Sequence, residues 1–132
     1  MGPQVSRVLL VEDEFMVAML TEDMLCDLGY EIDLSVADLT AGLQAAATRQ
    51  FDVGVLDINL RGSLSYPIAD ILIERGIPFI FASGYTAHGM DARYAQAPTI
   101  QKPFTMAALG QTLARALAAR EAGHRNETAG PG

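Results

Sequence analysis

Glu12, Asp13, Asp57, Ser83 and Lys102 are the residues of this 132-residue chain whose types could do chemistry together. Each directly follows a short run that reads as a strand. Glu12 and Asp13 follow Val8-Leu9-Leu10-Val11, Asp57 follows Val53-Gly54-Val55-Leu56, Ser83 follows Pro78-Phe79-Ile80-Phe81-Ala82, and Lys102 follows Thr99-Ile100-Gln101. Three carboxylates held close would repel and raise one another's pKa, and a hard divalent cation relieves that repulsion. Few carboxylates with open water positions suit magnesium. Lys102 adds a fixed positive charge, and the Ser83 hydroxyl adds a hydrogen bond. An acidic nucleophile, a metal, a cation and a hydroxyl together suit phosphoryl transfer, where catalysis is positioning and charge neutralisation. A carboxylate nucleophile gives an acyl phosphate. Lys102 is the one lysine among nine basic residues, the rest being arginines, so a compact ammonium is selected at that position.

These residues lie far apart in sequence, and the elements between them must bring them together. Three of these runs are apolar strands, Thr99-Ile100-Gln101 is a brief one, and Tyr30 to Val36 reads as a further, less buried strand with Glu31 and Asp33 facing out. Helical stripes separate them. Val17, Leu20, Met24, Leu25 and Leu28 form the first, closed by Gly29. Leu39, Leu43, Ala46 and Ala47 form the second. Ile68, Ile71 and Leu72 mark a third, stopped by Gly76. Met106, Leu109, Leu113 and Leu117 mark the last. Thr86–Ala97 is weakly patterned, so a fourth helix there is short or mobile. Five strands alternating with five helices predict an α/β fold, a parallel sheet covered on both faces. Ligands bind beyond the carboxyl ends of such strands, where the polar residues stand. The domain is expected over residues 1–121, with 122–132 as a flexible tail. No second domain, repeat or low-complexity linker is visible.

Composition narrows the function classes. A net charge of −7 argues against non-specific nucleic-acid binding. Half of the residues are hydrophobic, as in a globular chain. No run reaches the roughly 18 apolar residues of a membrane helix, and the N-terminus has no signal-peptide pattern. One cysteine, Cys26, fits a reducing compartment. A cytoplasmic protein with no membrane contact is expected. His88 and His124 lack partners at metal spacing and read as surface residues. Glu12-Asp13-Glu14 by itself could be a solvated helix start, but that does not account for Asp57, Ser83 and Lys102 at matching strand ends.

Val11-Glu12-Asp13, Val55-Leu56-Asp57-Ile58-Asn59, Phe81-Ala82-Ser83-Gly84-Tyr85 and Gln101-Lys102-Pro103-Phe104, in this order, resemble the bacterial response-regulator receiver family from about Ser6 to Arg120. The resemblance implies a flavodoxin-like, doubly wound five-stranded sheet of order 2-1-3-4-5. It implies Asp57 as the phosphoacceptor, Asp13 as a direct magnesium ligand, Glu12 as its water-mediated helper and Asn59 as a backbone-carbonyl ligand. Ser83 resembles the switch hydroxyl, Lys102 the partner of a phosphoryl oxygen, and Pro103 the family's cis-proline, which would aim the lysine inward. The run from Pro78 to Tyr85 is also similar to a subgroup named for its Phe-Ala-Thr-Gly-Tyr signature, often stand-alone receivers of alphaproteobacteria. Thr99 departs from the pattern, standing where the family usually has an aromatic residue. The Thr86–Ala97 region is therefore expected to respond instead, becoming ordered on phosphorylation.

Three functions follow. The first is a signalling module taking its phosphoryl group from a sensor histidine kinase or histidine phosphotransfer protein and acting on a further, unknown protein. Phe15, Met16 and Met19 fall off the core stripe of the first helix, where receivers commonly dock such donors, so an apolar docking patch is expected there. The second is an aspartyl-nucleophile phosphatase, which would want a second acid where Asn59 stands. The third is a phosphorylation-independent adaptor, whose usual sign is loss of the acceptor or the lysine.

Overall fold

Short runs rich in Val, Ile, Leu and Phe, bounded by turn residues, form strands buried on both faces. The computed structural model describes residues 5–84, 91–94 and 96–128, the last eight as backbone only. The chain runs β1 (Arg7–Val11), α1 (Phe15–Asp27), β2 (Glu31–Val36), α2 (Leu39–Thr48), β3 (Val53–Asp57), β4 (Asn59–Leu60), β5 (Ser63–Leu64), α3 (Tyr66–Arg75), β6 (Phe79–Ser83), a 3-10 turn (Ala92–Tyr94), β7 (Thr99–Gln101) and α4 (Met106–Thr128). Five strands pair in parallel in the order β2-β1-β3-β6-β7. This is the expected order of a flavodoxin-like sheet once β4 and β5 are set aside, since they pair antiparallel only with each other.

Alternation along each strand divides the core between the two faces. Leu9, Val11, Leu56, Phe79 and Phe81 pack with Ala46, Ile68 and Leu72 of α2 and α3. Val8, Leu10, Val53, Val55, Ile80 and Ile100 pack with Leu25 of α1 and Leu109 and Leu113 of α4. Local signals set the helix ends. Asp38 Oδ1 accepts from Ala41 N at 2.8 Å to open α2. Gly76, at φ 72°, closes α3. At Gly42 an added Cβ would overlap Ile68 Cδ1, so the absent side chain lets α2 lie close to α3.

The structure corrects four expectations. Among the described residues there are four α-helices rather than five. Asp91 organises only a 3-10 turn between β6 and β7, its side chain accepting from Arg93 N at 2.9 Å and its carbonyl from Tyr94 N at 2.9 Å. Pro98 restricts Ala97 and ends any continuation. Half of the Thr86–Ala97 segment expected to become ordered, positions 86–90 and 95, lies outside the described residues, His88 among them, as does Tyr85. The second correction is that α4 continues through positions 122–128, expected to be tail, as its alanine-rich approach favours. The His124 side chain lies outside the described residues. Third, Leu20 is not in the core of α1; Ala18, Thr21 and Leu25 are.

The fourth concerns β2. Asp33 does not face out. The register jumps from Val8↔Ile32 to Leu9↔Leu34, so Asp33 is the extra residue of a bulge. Its side chain, 2 % exposed, pairs with Arg7 Nη2 at 2.6 Å and Arg49 Nε at 2.7 Å. The bulge shifts the alternation by one, so Ile32 packs on the α1/α4 face and Leu34 on the α2/α3 face, although two residues apart.

Candidate functional site

Parallel strands that end level deliver the residues following them to one edge. β1 and β3 are in register from Val8↔Val53 to Val11↔Leu56, so Glu12 and Asp13 emerge beside Asp57. β3 and β6 pair through Asp57↔Ala82, and β6 and β7 through Ser83↔Gln101, which brings Ser83 and Lys102 to the same edge. Lys102 N donates to Ser83 O at 2.7 Å, and the Lys102–Pro103 bond is cis.

Here Glu12, Asp13 and Asp57 each offer a carboxylate oxygen, all within 4.8 Å of one another. Glu12 and Asp57 are buried, and Asp13 is half-buried. Lys102 Nζ donates to Glu12 Oε1 at 2.6 Å and to Asp57 Oδ2 at 3.1 Å. Glu12 Oε2 also accepts from Glu14 N at 3.1 Å, which fixes the turn into α1. Burial, and next the neighbouring Glu12 charge, push the Asp57 carboxyl up to about 7 against the pull of Lys102. Burial alone would lower the Lys102 ammonium, but its bonds to Glu12 and Asp57 outweigh that and raise it. The balance is an excess of negative charge on clustered hard oxygen donors. That donor set fits a small divalent cation with few protein ligands, as magnesium requires.

The remaining expected residues occupy distinct positions. Asn59 is exposed and opens the β4–β5 hairpin; its Oδ1 accepts from Gly62 N at 2.8 Å, committing the side chain to the turn. Ser83 is half-buried at the end of β6. Thr99, in place of an aromatic, donates from Oγ1 to Ala97 O at 3.1 Å and serves the local turn. Phe15, Met16 and Met19 do not join the acidic cluster. They lie on the exposed side of α1 at 75 %, 67 % and 45 % exposure, and Leu20 joins them. Sequence reasoning missed Arg61, whose Nε lies 3.8 Å from Asp13 Oδ2. Its one signal was the Arg61-Gly62 pair between Leu60 and Ser63, a two-residue turn without the usual asparagine.

It also missed an aromatic group beneath β6. Tyr94 stacks on Tyr66 with centroids 4.4 Å apart, and Phe81 meets both edge-on. Tyr94 donates from its hydroxyl to Asp70 and lies under the Arg93 guanidinium, tying the 3-10 turn to α3. Among the described residues, no helix is long and apolar enough to cross a membrane.

The chain matches no family model and no curated protein. Solved structures do match. SdrG from Sphingomonas melonis Fr1 is 38 % identical, over 88 % of this chain and 96 % of that one, with a TM-score of 0.73. A second SdrG structure, in a BeF3-activated conformation, is 36 % identical over 88 % of this chain and 99 % of that one, with a TM-score of 0.73. The receiver domain of the Erythrobacter litoralis PhyR response regulator is 29 % identical, over 86 % and 91 % of the two chains, with a TM-score of 0.75. The receiver domain of the Pseudomonas aeruginosa PAO1 sensor histidine kinase PA1611, with a magnesium ion coordinated in its active-site cleft, is 26 % identical, over 87 % and 99 %, with a TM-score of 0.74. The match in fold, the acidic strand-end cluster and this level of identity lead to one conclusion: the chain belongs to the response-regulator receiver domains.

Proposed function

We propose that this receiver accepts a phosphoryl group on Asp57 in a magnesium-dependent phosphorelay, taking it from a sensor histidine kinase or histidine phosphotransfer protein in the cytoplasm and passing the signal on by protein–protein contact. The observation that carries this reading is the placement of Asp57 between two further carboxylates and the Lys102 ammonium. Asp13 and Asp57 would hold the magnesium ion directly, Glu12 through water, and Asn59 through its main-chain carbonyl. Bound there, the ion supplies charge neutralisation for the phosphoryl oxygens.

The chain's own residues do the rest. An Asp57 carboxylate oxygen attacks the phosphorus of the donor phosphohistidine. The O–P bond forms as the N–P bond breaks, and the imidazole nitrogen leaves with the electron pair. Lys102, already 3.1 Å from Asp57 Oδ2, pairs with an oxygen of the new phosphoryl group. The Ser83 hydroxyl turns toward the same group. Asn59 stands two residues after the nucleophile, where an aspartyl phosphatase wants a second acid. The chemistry is therefore the domain's own phosphorylation and slow self-dephosphorylation, not turnover of a separate substrate.

Intact-mass measurement after incubation with acetyl phosphate tests this, with magnesium, with chelator and on Asp57→Ala. A magnesium-dependent gain of one phosphoryl group that is absent from the variant is the expected result. No gain under any condition, with no binding of beryllofluoride, would replace it with the phosphorylation-independent adaptor.

A further inference from the structure

Arg61 stands where the backbone does not favour it. With Gly62 it forms the two-residue turn between β4 and β5, and both have positive φ, 51° and 89°. Turns of this shape favour asparagine then glycine, because a Cβ is crowded in the left-handed region. An arginine in that conformation calls for a reason outside the turn. The turn aims its guanidinium back over the acidic cluster, with Nε 3.8 Å from Asp13 Oδ2 and the side chain 80 % exposed.

Any phosphoryl donor is an anion, and it must approach three carboxylates. The Lys102 side chain is 14 % exposed and already engaged by Glu12 and Asp57. Among the described residues, Lys102 and Arg61 are the basic side chains within ion-pair distance of these carboxylates. Arg61 is therefore the exposed cation at the mouth. Its pairing with Asp13 is long and solvent-screened, so it holds little energy and is easily exchanged. A guanidinium fork matches two phosphoryl oxygens.

We propose that Arg61 is a donor-binding residue: its guanidinium, paired with Asp13, transfers to the phosphoryl oxygens of the incoming donor as Asp13 engages the metal. This rests on the phosphoacceptor reading above. It carries two consequences of opposite sign, since removing the guanidinium frees Asp13 for the metal but deprives the donor of a contact.

Arg61→Asn separates charge from turn, because asparagine suits the left-handed position better than arginine. Three quantities are measured on the full chain. They are Tm, magnesium affinity by calorimetric titration, and the rate of labelling by acetyl phosphate at saturating magnesium. In labelling, the Asp57 O–P bond forms, the donor P–O bond breaks and acetate leaves with the electron pair.

The variant is expected to keep or raise its Tm and to bind magnesium about two- to fivefold more tightly. Its kcat/KM for acetyl phosphate is expected to fall about tenfold, mainly through KM. The loss is smaller with phosphoramidate, which carries less negative charge, and Arg61→Lys restores part of the rate. Unchanged labelling and magnesium affinity in Arg61→Asn, with the wild type labelled normally, would overturn the role of Arg61 alone. A wild type that is never labelled would overturn the phosphoacceptor reading and this inference with it.

Discussion

At the scale of single residues, Asp57 sits in an environment that disfavours its charge. Burial, followed by the Glu12 charge, lifts its carboxyl from 3.8 to about 7. The folded site therefore prefers the protonated form more than the unfolded chain does. That preference contributes fully below about pH 4 and is lost as pH rises through about 7. Without divalent cations, the Tm of the wild type should fall across this window relative to Asp57→Asn, whose neutral amide removes the penalty. At pH 8 the variant should melt a few degrees higher, about 1–2 kcal/mol. Magnesium should raise the wild-type Tm strongly at pH 8 and little at pH 5. Thermal melts in chelator and in magnesium at both pH values check this, and parallel curves for the two proteins would refute it.

At the scale of elements, the close approach of α2 and α3 rests on Gly42. Alanine would gain up to about 1 kcal/mol in helix propensity. Its Cβ would instead drive into Ile68, which is fully buried, and such overpacking costs about 1–3 kcal/mol. Gly42→Ala should therefore lower Tm by a few degrees, where a free helix would be stabilised; a higher Tm by calorimetry would show that Ile68 moves aside without penalty. Elements of this kind were legible wherever a local signal decides them. Gly29 and Gly76 marked helix ends, and the short strand-like runs marked a parallel sheet, while its strand order came only with the family resemblance. The acidic pair, Asp57 and Lys102 were legible because a parallel sheet gathers strand ends whatever the sequence between them. The bulge at Asp33 was not, because an alternating Tyr30–Val36 pattern carries no sign of an extra residue. Leu20 was misread because α1 packs through the small residues Ala18 and Thr21, which an apolar stripe does not single out. Arg61 escaped notice because its meaning depends on a turn geometry that places it across from Asp13.

At the scale of the whole molecule, the exposed side of α1 gathers Phe15, Met16, Met19 and Leu20 a few residues after the acidic pair. Four large apolar side chains facing solvent on one helix side suit a contact surface. In the proposed relay a donor protein docks there to present its phosphohistidine to Asp57. Phe15→Ala combined with Met19→Ala should slow transfer from a phosphorylated histidine phosphotransfer protein about tenfold. Labelling by acetyl phosphate should stay at the wild-type rate, since a small donor needs no docking. Equal rates from the protein donor would assign the patch to another partner.

The opposite need, to avoid unwanted contacts, is met at the other end of β1. Strand β2 is an edge of the sheet, and an edge presents unpaired amides and carbonyls that a second copy could extend into a shared sheet. The bulge at Asp33 breaks the regular spacing such an intruding strand would require, and the Arg7–Asp33–Arg49 ion pairs anchor a charged group within that edge. The same extra residue that redirects Ile32 and Leu34 into opposite halves of the core thus guards the chain against polymerising through its own sheet.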